Sequence, residues 1–178
     1  MDRRSFVLAA GASAMAGVAI AAPAVGPEYR DVFAALGPGN TLIDLERQVP
    51  KAKTRLKGMG FGGADAYYEL AGAASPVRFK ATAVPPLVVR VATQEEDPMG
   101  IIQFFKLQVV KNTRRLVAVR VNAMGVGGGA TGNEFSVPFT ARKHGTTFFL
   151  VKPQGLLAAG EYGISLTTAA AGYLFGVD

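Results

Sequence analysis

The chain has no cysteine, no tryptophan and a single histidine among its 178 residues. Without cysteine there can be no disulfide framework, no thiolate nucleophile and no sulfur-ligated metal. One histidine leaves a zinc centre short of nitrogen ligands, so neither a metal nor any other cofactor is expected. Long apolar runs are also scarce. The one sustained stretch, Phe6 to Ala22, is rich in alanine and glycine, and it falls short of the ~20 strongly apolar residues that a membrane span needs. No serine stands in a Gly-x-Ser-x-Gly elbow, and no glycine loop ends in Gly-Lys-Ser/Thr.

What is present begins at the N-terminus. Asp2-Arg3-Arg4-Ser5-Phe6-Val7 puts paired arginines ahead of the apolar run, and small residues follow it around Pro23. A positive region, an apolar region and a small-residue zone are the parts of an export signal. The paired arginines with Ser-Phe-Val are similar to a twin-arginine signal. Residues 1–24 are therefore expected to be an export signal peptide, cut after Ala24 or, alternatively, after Ala21. The expected location is periplasmic or secreted. An uncleaved anchor and the general export route are the competing readings.

The chain is basic, with 19 Lys+Arg against 13 Asp+Glu, a net charge of +6 and a pI near 9.8. Such a surplus suits anionic partners such as lipid headgroups, cell-wall polymers or lipopolysaccharide; an envelope protein is the other expected partner, and nucleic acid is not expected. A solvated surface that keeps the chain soluble is the plainer account.

Glu28 to Leu36 has helical spacing at Tyr29, Val32, Phe33 and Leu36, and Gly37-Pro38-Gly39 would stop it, so a short N-terminal helix is expected. Thr41 to Gly63 reads as an extended lead-in with at most one edge strand. From there the period is two, with apolar and polar residues alternating in short runs: Val77–Lys80, Leu87–Val91, Ile101–Val110, Leu116–Val121, Glu134–Phe139, Thr146–Val151, Glu161–Thr167 and Tyr173–Val177. Lys111-Asn112-Thr113-Arg114 suits a tight hairpin. The expected organisation is a signal peptide (1–24), a helix and basic lead-in (25–63), and an antiparallel β-sandwich (64–178) of about seven to nine strands.

Leu156-Leu157-Ala158-Ala159-Gly160-Glu161-Tyr162-Gly163-Ile164 resembles the approach to the penultimate strand in immunoglobulin-like and fibronectin type III-like domains. There a leucine, a glycine turn and a strand-leading tyrosine form the tyrosine corner. The resemblance implies an immunoglobulin-like sandwich with Tyr162 as the corner residue. The cysteine and tryptophan marks of antibody domains are missing.

Several groups are candidates for chemistry. Lys51, Lys53, Arg55 and Lys57 repeat a positive charge at every second residue, which in an extended segment aligns them on one face. With Arg47 they would form a stripe for an anionic polymer; alternatively they would guard an edge strand against foreign pairing. Arg142, Lys143 and His144 read as a second positive group in a loop. Catalysis through His144 would need distant partners such as Ser136, Ser165 or Asp97. The loop Met124 to Asn133 could hold an anion on its backbone amides, or simply connect two strands. Glu95, Glu96 and Asp97 offer carboxylates but lack calcium-loop spacing. Phe104-Phe105 and Phe148-Phe149 each put one ring on either face of a strand, so Phe104 and Phe149 would make an adhesive patch if that face were open.

These readings converge on a non-catalytic binding or assembly module of the cell envelope. An exported hydrolase-type enzyme with scattered residues is the alternative.

Overall fold

A computed structural model describes residues 24–56, 63–121 and 132–178. Residues 1–23, with most of the expected signal peptide, Lys57 and the glycine-rich segment through Thr131 lie outside these residues. The described strands are β1 (Phe33–Leu36), β2 (Leu42–Asp44), β3 (Glu46–Gln48), β4 (Lys51–Leu56), β5 (Ala64–Ala71), β6 (Arg78–Phe79) and β7 (Leu87–Arg90). They continue with β8 (Ile102–Val110), β9 (Thr113–Val121), β10 (Phe139–His144), β11 (Phe148–Pro153), β12 (Gly160–Leu166) and β13 (Gly172–Val177). Among the described residues helix is limited to short turns such as α1 (Pro98–Ile101) and α2 (Gly132–Phe135).

The strands form two sheets, one of five in the order β10-β11-β7-β1-β2 and one of eight, β3-β13-β12-β8-β9-β5-β4 with β6 beside β13. The pairings are antiparallel except β6 with β13. This is the all-β sandwich that alternating residues predict. The core between the sheets takes one face of each strand: Leu87 and Val89, Phe149 and Val151, Tyr162 and Ile164, Tyr173 and Phe175. Tyr162 stacks on Phe175 with ring centroids 5.8 Å apart, and Phe104 lies 6.0 Å from the same phenylalanine.

The expected N-terminal helix is not there. Glu28 to Asp31 is a turn, and Phe33–Leu36 is the strand β1. β1 lies between β7 and β2 and is covered on both faces, so Ala34 is as buried as Phe33 and Ala35. A short apolar run buried on both sides carries no period that separates strand from helix. The 25–63 segment is also more than a lead-in, since β1 to β4 supply strands to both sheets. Glu134–Phe139 likewise differs from the expected strand. α2 ends at Phe135, Ser136 makes one bridge to Phe105, and β10 starts only at Phe139. Phe104 and Phe149, 2% and 1% exposed, point into the core rather than forming a patch.

The eight-stranded sheet is strongly rolled. Leu70 of β5 and Leu174 of β13 belong to one buried cluster, though four strand steps separate them, roughly 19 Å in a flat sheet. Gln48 of β3 and Ala71 of β5 close the roll. The Ala71 N–H donates to the Gln48 side chain at 2.8 Å, and the Gln48 amide donates back to the Ala71 carbonyl at 3.1 Å. The roll therefore has an interior of its own on the face turned away from the sandwich core.

Candidate functional site

One end of this interior is shut by charge. Arg114 is fully buried, and each of its five N–H donors has an acceptor. Its Nη1 donates to Glu46 Oε2 at 2.8 Å and to Glu161 Oε2 at 3.5 Å. Nη2 donates to Glu46 Oε1 and to the Ala71 carbonyl, both at 2.7 Å, and Nε donates to the Gly72 carbonyl at 3.1 Å. Glu161 also accepts from the Ser75 N–H and from Arg78, each at 2.8 Å, and Arg78 in turn clasps Asp178. Gly176 makes this possible, because a Cβ there would stand 2.3 Å from the Arg78 guanidinium. Burial raises the Glu46 carboxyl pKa, but hydrogen bonds from Arg114, Ser75 and Gln48 outweigh it and hold the group below its usual value. A cluster so fully satisfied has no spare valence for a substrate. Its work is to hold β3, β9 and β12 together.

The middle of the roll is apolar, packed with Leu70, Leu107 and Leu174. Gly163 of β12 lets Phe105 and Leu174 meet, since a Cβ there would fall 2.4 Å from the Phe105 ring and 3.1 Å from Leu174. Among the described residues the opposite end is open. A groove of about 390 Å³ lies there, walled by Tyr68, Phe105, Leu116, Leu174, Val49 and the Ala169–Ala171 turn. Gln103, Ser165, Thr167 and Tyr68 carry its uncharged polar groups, and among the described residues no charged side chain lines it. Beyond Tyr68 and Phe105 a second hollow of about 500 Å³ continues to Met99, Val137 and Phe139. It occupies the fork where β8 and β9, paired only from Gln108 to Val110, part company. Across the Val49 and Ala169–Ala171 rim lies a third hollow of about 450 Å³, bordered by Arg30, Asp31 and Arg47.

The basic stripe falls on an edge strand. Lys51, Lys53 and Arg55 are exposed on β4, at the end of the larger sheet. In register they face Glu69, Tyr67 and Asp65 of β5. Lys53 pairs with Glu69, which also takes Arg115 at 2.9 Å, while Arg115 lies over the Tyr67 ring at 4.6 Å. Local carboxylates thus answer part of the stripe. Arg47 is not part of it; it stands on β3 opposite Tyr173. Arg142, Lys143 and His144 are not in a loop but on β10, the edge of the smaller sheet. The two basic groups therefore terminate different sheets. The His144 ring lies 6.4 Å from that of Phe148, and its buried Nε2 has no hydrogen-bond partner. Ser165 lines the groove of the other sheet, so the fold gives His144 no nucleophile there.

Asp97 caps α1, accepting from the Met99 N–H at 2.9 Å. Among the described residues no group of three or more His, Cys, Asp or Glu could hold a metal ion, and no helix is long and apolar enough to cross a membrane. Tyr162, 2% exposed, donates its hydroxyl to the Ala158 carbonyl at 2.7 Å, the contact a tyrosine corner requires.

The groove and the Arg114 cluster escaped sequence reasoning. By sequence alone Arg114 reads as a turn residue, and Phe105 and Leu116 read as ordinary strand positions. The one available signal was Glu161, an acid on the strand face that also carries Gly163 and Ser165. A scan against protein-family models, a search of curated proteins and a search of solved structures each found no match for this chain.

Proposed function

We propose that this protein is a non-catalytic binding module of the bacterial cell envelope, exported and built on an immunoglobulin-like sandwich. The observation that carries the reading is the groove at the open end of the rolled sheet. It is concave and mostly apolar, and its few polar groups are uncharged. Binding sites have this composition, whereas acid–base and nucleophilic catalysis need titratable groups converging on one point. The carboxylates nearby, the buried Glu161 and the half-buried Glu46, are already committed to arginines. The immunoglobulin-like assignment draws on the two antiparallel sheets and on the Tyr162 contact with Ala158.

The chain has no tryptophan, so Tyr68→Trp places a single fluorescent reporter on the groove wall. Envelope lipid extract, sacculi and lipopolysaccharide are titrated separately against this variant. Saturable quenching by one fraction, with the bound component recovered chemically unchanged, is the expected result. Recovery of that component as a hydrolysed product would favour the exported enzyme instead.

A further inference from the structure

We propose that the open end of the rolled sheet takes the hydrocarbon chain of a single-chain anionic amphiphile, a free fatty acid, with its head at the Arg47 rim. This rests on the binding-module reading and narrows it to a ligand class.

The interior has a direction. Its far end is closed by the Arg114 cluster and its middle is filled by leucines, so among the described residues the way in lies at the groove end, where Tyr68, Leu116, Ser165 and Val49 stand. A volume of about 390 Å³ lies within the range of small-molecule sites. Mouths of closed or nearly closed β-structures are common places for such sites. The lining decides which part of a ligand goes in. Among the described residues an ionised head would meet no countercharge inside and would be costly to bury, whereas a hydrocarbon chain loses only water.

The head must then stay at the rim, and the rim has a sign. Val49 and Ala169–Ala171 are shared between the groove and the hollow that holds Arg30, Asp31 and Arg47. Both arginines are exposed, and neither makes an ion pair among the described residues. With Asp31 beside them, one positive charge is left over next to an apolar trough. That pairing of surfaces matches a carboxylate on an alkyl chain. The overall charge of +6 draws anions from a distance in the same sense.

The test is calorimetric titration of the purified chain with decanoate, laurate and myristate below their micellar concentrations. Kd is expected to tighten about fourfold for each added methylene. The matching alcohols should bind about fivefold more weakly. Arg30→Gln with Arg47→Gln should erase the difference between acid and alcohol and leave the chain-length dependence intact. Gln103→Phe, at an exposed lining position, and Ser165→Phe should each block binding while the thermal midpoint holds. Affinity independent of chain length, or normal binding in both blocking variants, overturns the proposal. So does adsorption to phosphatidylglycerol vesicles without uptake of monomeric laurate. If an envelope fraction still quenches Tyr68→Trp while no fatty acid binds, the ligand class is wrong and the module reading survives. If nothing binds and an envelope component is hydrolysed, both fall.

Discussion

Arg114 of β9 and Glu46 of β3 share two parallel hydrogen bonds of 2.8 and 2.7 Å, although their strands stand four places apart in the sheet. The contact exists only because the sheet rolls, and it helps to keep the sheet rolled. Arg114→Met would leave Glu46 and the buried Glu161 without this partner. Loss of one member of a buried charge pair costs about 3–5 kcal/mol, and urea unfolding should show a drop of that size. A loss below about 1 kcal/mol would mean the pair contributes no more than a surface contact.

Acid should loosen the same lock. The folded Glu46 carboxyl titrates below its unfolded value, because the hydrogen bonds to it outweigh the effect of burial. As pH falls the unfolded chain therefore takes up the proton first, and the stability present at neutral pH is lost through the folded pKa. Glu69, held down chiefly by Lys53, and Asp178, held down chiefly by Arg78, act in the same direction. The urea midpoint should be flat near neutrality and fall below about pH 4.3, less steeply in Arg114→Met. A midpoint that rises on acidification contradicts the assignment.

Tyr162→Phe removes the hydroxyl that donates to the Ala158 carbonyl. The expected cost is about 1–2 kcal/mol, read from the shift in urea midpoint at unchanged slope. A neutral substitution would strip the hydroxyl of any part in holding the approach to β12.

Gly163→Ala sets a methyl group against the Phe105 ring and Leu174. Overpacking of this kind costs about 1–3 kcal/mol. Phe105→Leu in the same chain should recover part of the loss, and a double-mutant cycle would report the coupling. Additive effects would show that the two side chains do not compete for one space.

Export should depend on the paired arginines if the leader is of the twin-arginine kind. Replacing Arg3 and Arg4 with lysine should leave precursor in the cytoplasm, scored by cell fractionation. Unchanged export would assign the chain to the general route.

The alternation of Phe104 with Phe105, and of Tyr162 with Gly163, determined by itself that these segments are strands with two unlike faces. Period two is a local property, set by how successive side chains leave an extended backbone. The turn residues, also local, marked the tight hairpin, where Lys111-Asn112 joins β8 to β9. Only the tertiary structure decided what each face meets. Phe104 faces the other sheet, while Phe105 faces the inside of a roll whose walls come from β5, β9 and β13. Phe33–Leu36 became a strand because neighbours cover both of its sides, which no spacing within four residues can announce. Arg114 reaches Glu46 across 68 residues of chain and Arg78 reaches Asp178 across 100. Contacts at such separations follow from how far a sheet twists and rolls, and that is fixed by the packing of all its strands together.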